Sequence, residues 1–386
     1  MRTLRFYGTF SLAAQLALAA LAGCGERFTA AGASATSTSS SGGEGGGGGA
    51  GGDGGGGSGG AGGQASSSAA SGGGGEGGCG ACKEGEFCTA SETCVSCAAR
   101  GGVLSFGALS EIEVVGAVPA FPRVRAEPGE GEATLRLVYT AKFGSDDTKI
   151  ATATGRPWTA GEVVSNFLVD DAGGQESGPL LLPLDAPSPR AGFPAGSLLF
   201  DRLLTAPGSL PQLFVADGLE ATQADALPAL NPDGGSRSVA VAHGQRPSYR
   251  YWFMNRPQDA GGTTSRLVTK RAEDAEVQVL DIHLPGDCPA RGDDLAPWVT
   301  PDGRLLFFQA PYSARGECET ASVLRSFYVA LGDDGLPVDD QPARMLLPNL
   351  NPSVAIMTPS LSPDECTLYL ASDKDGQQKL FAASRR

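Results

Sequence analysis

The run PSLSPDECTLYLAS, Pro359 to Ser372, continues as DKDGQQKLFAAS from Asp373 to Ser384. It reads as a short strand, a Ser-Pro-Asp turn, a second strand in which Leu368 and Leu370 alternate with Tyr369, a polar turn, and a third strand. The pattern recurs upstream as APWVTPDGRLLFFQA, Ala296 to Ala310, followed by RSFYVAL from Arg325 to Leu331, with Pro297 and Pro359 62 residues apart. One small antiparallel sheet cannot bury both of its faces. A repeated one therefore implies stacked or radially arranged sheets.

Working outward, the apolar second strands are TLRLVYTAK (from Thr134), SLLFDRLL (from Ser197), YRYWFMNRP (from Tyr249), RLLFFQAP (from Arg304) and TLYLAS (from Thr367), and their starts are 63, 52, 55 and 63 residues apart. Third strands begin at Thr148, Pro211, Ser265, Arg325 and Lys379. Fourth strands are expected near Gly161, Ala221, Ala275 and Ala343, but the last unit has none before the chain ends at Arg386. FGALSEIEVV, Phe106 to Val115, is conversely a strand without a unit. A ring in which this N-terminal strand fills the last sheet satisfies both and removes open edges. The PSLSPDECTLYLASDKDG and PWVTPDGRLLFF units resemble the Pro-Asp-Gly repeats of TolB-like β-propellers, and that resemblance implies an interaction platform. The expected class is all-β, a propeller of five four-stranded blades over residues 102–386, with six blades as the alternative.

The N-terminus, MRTLR followed by an apolar run to Ala22, is a secretory signal over residues 1–23, too short and too weakly apolar for a stable membrane span. LAGC, Leu21 to Cys24, resembles the bacterial lipobox and implies acyl chains on Cys24, which hold a protein at a membrane where a single chain would not. Gly25 is not the Asp that resembles an inner-membrane retention signal, so the expected address is the outer membrane. Residues 24–78 are expected to be the acylated Cys and a disordered Gly/Ser-rich linker, which from Thr29 to Gly78 has nothing apolar to offset backbone entropy. Its 50 residues from Thr29 to Gly78 have a root-mean-square span of roughly 40 Å.

Cys79, Cys82, Cys88, Cys94 and Cys97 crowd the module at residues 79–101. In an exported chain they read as disulfides; a zinc site from the two C-x-x-C pairs is the competing reading, with spacing away from the finger pattern and no His nearby. The module resembles the cysteine-rich inserts of secreted myxobacterial lipoproteins. With Cys24 acylated, eight cysteines remain. Propeller topology places Cys288 and Cys318 on one face and Cys366 on the other, beside the start of the closing strand. Cys288 is therefore expected to pair with Cys318 and Cys97 with Cys366, leaving Cys79, Cys82, Cys88 and Cys94 for two local bridges.

The 29 basic and 43 acidic residues, net charge −14, form no basic block, which argues against nucleic acid. His243 and His283 sit in no motif, and no G-x-S-x-G is present. Asp146-Asp147, Asp333-Asp334 and Asp373-Lys374-Asp375 could hold calcium, but each falls at an expected turn and none has a distal Glu at fixed spacing. Tyr249, Tyr251 and Phe253 on one face of a strand and Trp252 and Met254 on the other suit interblade packing. No catalytic residue, metal ligand or cofactor is expected. The functional expectation is a monomeric, lipid-anchored, non-enzymatic platform for a protein or glycan; the alternative is a calcium-assisted propeller hydrolase or lactonase with acidic or His side chains converging on the axis. Cys24→Ser is expected to abolish incorporation of radiolabelled palmitate, and label retained in the mutant would refute the lipobox assignment.

Overall fold

The computed structural model describes residues 86–88, 94–97, 103–127, 134–144, 147–155, 158–159, 163–164, 175–182, 193, 195–203, 210–231, 234–242, 250–257, 265–271, 274–292, 295–313, 323–338 and 342–385. The signal, Cys24, the linker, Cys79, Cys82, Asp146, His243, Tyr249 and Cys318 lie outside them. No helix among the described residues is long and apolar enough to cross a membrane.

Five four-stranded antiparallel sheets follow one another along the chain. Blade 1 comprises Ala117–Glu127, Thr134–Phe143, Asp147–Thr154 and Val163–Val164. Blade 2 comprises Gln175–Leu181, Leu198–Leu203, Gln212–Ala216 and Ala224–Ala226. Blade 3 comprises Gly234–Ala242, Arg250–Pro257, Arg266–Arg271 and Gln278–Val279. Blade 4 comprises Trp298–Val299, Leu305–Tyr312, Val323–Ala330 and Arg344–Met345. Blade 5 takes Ile356–Leu361, Thr367–Ser372 and Lys379–Ser384 from the end of the chain and Ser110–Ile112 from its beginning. The first strand of each blade packs on that of the next, and the fifth on the first. The fold is a five-bladed β-propeller.

Strand alternation supplies the packing, because successive side chains leave a sheet on opposite faces. Tyr251 and Phe253 join the core between blades 2 and 3, whereas Trp252 and Met254 join the core between blades 3 and 4. Phe308 likewise faces blade 3, and Phe307 faces blade 5. Five apolar clusters thus fill five interblade seams, and a blade has no core of its own to fold around.

The Thr/Ser-Pro-Asp signature is a turn device. Thr300 Oγ1 accepts hydrogen bonds from the backbone N–H groups of Arg304 and Leu305 (3.2 and 3.0 Å) and donates to Asp302 Oδ1 at 2.7 Å. Ser362 repeats this with Asp364 and the N–H of Thr367.

The N-terminal strand closes the ring. Ser110, Glu111 and Ile112 pair with Ala382, Phe381 and Leu380, and the Gly107 N–H donates to Ser384 O at 2.8 Å. Cys97 is disulfide-bonded to Cys366, with Cα atoms 5.2 Å apart across 269 residues of chain. Arg385 reinforces the joint by donating to Cys97 O at 2.8 Å. Cys288 is also disulfide-bonded; its expected partner, Cys318, lies outside the described residues. Cys88 and Cys94 are register partners in the hairpin of Glu86–Cys88 and Cys94–Ser96. A disulfide typically stabilises a fold by about 2–4 kcal/mol. Replacing Cys97 and Cys366 together with Ser is expected to lower the guanidinium unfolding free energy by about that amount; an unchanged midpoint and slope would show the three ladder pairs suffice to close the ring.

Candidate functional site: a sealed axis and a rim groove

All five inner strands slip by one residue at the same level. In blade 1, Ala120 pairs with Thr140 but Arg123 with Val138; in blade 2, Ser177 pairs with Asp201 but Leu180 with Leu199. Blades 3 and 5 slip between Arg237 and Ala240 and between Met357 and Ser360. In blade 4 the slip falls between Leu295, whose carbonyl accepts from Gln309 N–H, and Trp298. The extra residues are Phe121-Pro122, Gly178-Pro179, Ser238-Val239, Ala296-Pro297 and Thr358-Pro359. The first of each pair has a positive φ of 51°, 58°, 52°, 40° and 50°. A bulge tolerates proline, which has no N–H to leave unpaired, and four of the five pairs end in one. This ring escaped the sequence reading, although the repeat spacing of Pro297 and Pro359 was its signal.

The bulges aim carbonyls inward, and a guanidinium collects them. Arg123 Nη1 donates to Pro122 O (3.0 Å), Thr358 O (3.2 Å) and Pro359 O (3.2 Å), and Nη2 to Pro297 O (3.5 Å). These carbonyls belong to blades 1, 5 and 4, and blades 1 and 4 are not neighbours in a ring of five. A group that touches all three lies on the axis. Arg123 is 5% exposed. Burial pulls its pKa down to about 9, so it remains charged at neutral pH.

A second tier seals the bulge amides from the preceding blade. Asp201 Oδ1 accepts from Ser238 N–H at 3.1 Å, Gln309 Oε1 from Thr358 N–H at 2.6 Å, and Thr358 Oγ1 from Phe121 N–H at 3.0 Å. At the corresponding position in blade 3, the Met254 sulfur receives Leu295 N–H at 3.3 Å. Asp201 also accepts from Ser177 Oγ. Its carboxyl is pushed above the usual range by burial, against the lowering effects of the Arg237 charge and these hydrogen bonds. Gly178 is required beside it: a Cβ there would stand 2.5 Å from Asp201 Oδ1, at a left-handed φ. Glu176 pairs with Arg202 at 3.6 Å. Strand alternation turns Glu176 toward blade 1, while Asp201 faces blade 3, and both are 2% exposed.

Two of the acidic runs flagged in the sequence, Asp333-Asp334 and Asp373-Lys374-Asp375, serve as turns, and Asp146 of the third lies outside the described residues. Asp334 Oδ1 accepts from Leu336 N–H at 3.0 Å, and Asp373 Oδ1 from Ala355 N–H at 2.8 Å. Among the described residues no cluster of three or more His, Cys, Asp or Glu is arranged to hold a metal ion. His283 is on the rim, with Nδ1 2.8 Å from Asp287 Oδ1 and Nε2 3.4 Å from Asp281 Oδ1. It borders a groove of about 630 Å³ whose walls are the outer edge of blade 3, from Gln278 to His283, and the Leu336–Val338 segment of blade 4.

No protein-family model matches the chain, and no curated protein matches it. Among solved structures it is similar to a GH43_1 enzyme from Xanthomonas citri (14% identity, TM-score 0.44, 72% of this chain and 90% of that one). It is also similar to an α-L-arabinofuranosidase from Fusarium graminearum (10%, 0.43, 72% and 97%) and an endo-arabinase from Bacteroides thetaiotaomicron (10%, 0.42, 70% and 97%). These neighbours are glycoside hydrolases rather than the TolB-like proteins that the turn sequences resemble. Likeness of this degree carries no argument about chemistry.

Arg123→Met keeps the stem and removes the cation, leaving four buried carbonyls without their donor at about 1–3 kcal/mol for each group left unsatisfied. The expected result is a loss of at least about 3 kcal/mol in chemical denaturation. Unchanged stability would mean that the axial carbonyls are satisfied without the guanidinium.

Proposed function

We propose that this propeller is a non-enzymatic binding platform, held at the cell envelope through acyl chains on Cys24 and displayed on the Gly/Ser-rich linker. The observation that carries the reading is the Arg123 guanidinium among the axial carbonyls. A calcium-assisted hydrolase needs six to eight oxygen ligands converging on the channel, and here a fixed positive charge takes the carbonyls that would contribute. Lipobox, linker and net charge support display at an aqueous surface, although none of them names a ligand.

The alternative of glycoside or lactone hydrolysis fits the carboxylates less well. Glycoside hydrolysis generally uses two carboxyl groups flanking one accessible cleft, roughly 5–9.5 Å apart. Among the described residues, the buried carboxylates Glu176 and Asp201 face opposite sides of blade 2, each engaged with protein partners.

The test is turnover by the purified chain of aryl arabinosides, aryl xylosides and lactones, with calcium and with EDTA. The expected rate equals the blank in both and is unaltered by Asp201→Asn. Turnover that chelation or Asp201→Asn abolishes would overturn the platform reading in favour of the hydrolase.

A further inference from the structure

We propose that the groove between blades 3 and 4 is a docking site for an extended, basic segment of a partner protein; this rests on the platform reading and gives its ligand a class. Gln278–Val279 is the outermost strand of blade 3 and pairs on one side only, Val279 with Val268 and Gln278 with Thr269. The other backbone edge borders the groove, and an extended peptide can add to such an edge by main-chain hydrogen bonds. The strand itself is Gln278–Val279, and the Ile282 and His283 carbonyls beyond it already accept from Ala290 and Ala343 N–H at 2.8 and 2.7 Å, so the open stretch of the wall runs from Gln278 to Asp281, roughly 13 Å at 3.3 Å per residue. The opposite wall is preformed: Val338 N–H donates to Ala330 O at 3.0 Å, and Leu331 bridges Pro337.

The lining chemistry selects the occupant. Val279 and Val338, 48% and 49% exposed, are two of the five large exposed apolar side chains among the described residues, and both line this one groove. Such paired apolar positions suit alternate side chains of a strand. Asp281 and Asp287 stand on the same lining with side chains 91% and 89% exposed, held on either side of His283. No Lys or Arg is among the described lining residues, so the groove attracts positive charge. The described lining also lacks Trp, Tyr and Phe, so it offers no aromatic ring for a glycan to stack on.

The probes are fluorescein-labelled (Lys-Val)3 and (Glu-Val)3 peptides and an arabino-oligosaccharide, titrated against the purified chain. (Lys-Val)3 is expected to bind at least tenfold more tightly than (Glu-Val)3, to weaken in 0.5 M salt, and to slow amide exchange across Gln278 to His283. Val338→Arg, a change at an exposed position that should leave the melting temperature unaltered, is expected to cut that affinity at least tenfold. Equal binding of the two peptides, unchanged affinity in Val338→Arg, or no protection of Gln278 to His283 would each overturn the groove assignment. Protection of the same amides by the oligosaccharide alone would overturn the peptide class while leaving the platform reading intact. Only turnover abolished by chelation or by Asp201→Asn removes the platform reading itself.

Discussion

A guanidinium enclosed by backbone carbonyls is the constraint around which this propeller is arranged. Taking a cation out of water costs several kcal/mol, and Arg123 has no carboxylate among its hydrogen-bond partners on the axis to offset that cost. Hydrogen bonds to a charged group contribute about 1.5–3 kcal/mol each, so the carbonyl set can balance the burial only if the blades hold it at fixed spacing. The bulges of blades 1, 4 and 5 do this, because their carbonyls are turned toward the axis. Arginine suits the position where lysine would not: its planar fork reaches acceptors on three strands at once.

The same level of the fold governs how blades meet. At the bulge level the second strands carry Thr140, Asp201, Met254, Gln309 and Ala371 in turn. Asp201 and Gln309 accept directly from the bulge amides of Ser238 and Thr358. Ala371 cannot, and Thr358 of the inner strand supplies the oxygen to Phe121 instead. Asp201 is thereby committed to the blade 2 to blade 3 joint, and its raised pKa reflects burial in that role. The stapled N-terminal strand then completes the last seam, where Leu104 and Phe106 pack beside Phe381.

Much of this was legible because it repeats. Apolar runs at 52 to 63 residues, the Thr/Ser-Pro-Asp turns and the unpaired strand at Phe106 to Val115 led to five blades with an N-terminal closure. The opposed faces of a blade led to the Cys97 to Cys366 bridge. The axis was not legible. Arg123 lies in a strand that the repeat pattern passed over, and its partners are carbonyls, which leave no mark in a sequence. The Ala-Pro and Thr-Pro pairs were visible, but their shared left-handed bulge depends on backbone geometry. The rim groove was equally hidden, since Gln278 to His283 and Leu336 to Val338 meet only after the blades are stacked.

Arg123, a residue of the chain itself, closes the axis. The most direct measurement is hydrogen exchange at the arginine side chains, followed by nitrogen-resolved NMR at neutral pH. The Arg123 Nη protons should exchange only as slowly as the inner-strand amides of Arg123, Ser360 and Trp298, since all are released by the same opening of the ring. Exchange as fast as that of the exposed Arg266 guanidinium would contradict a sealed axis.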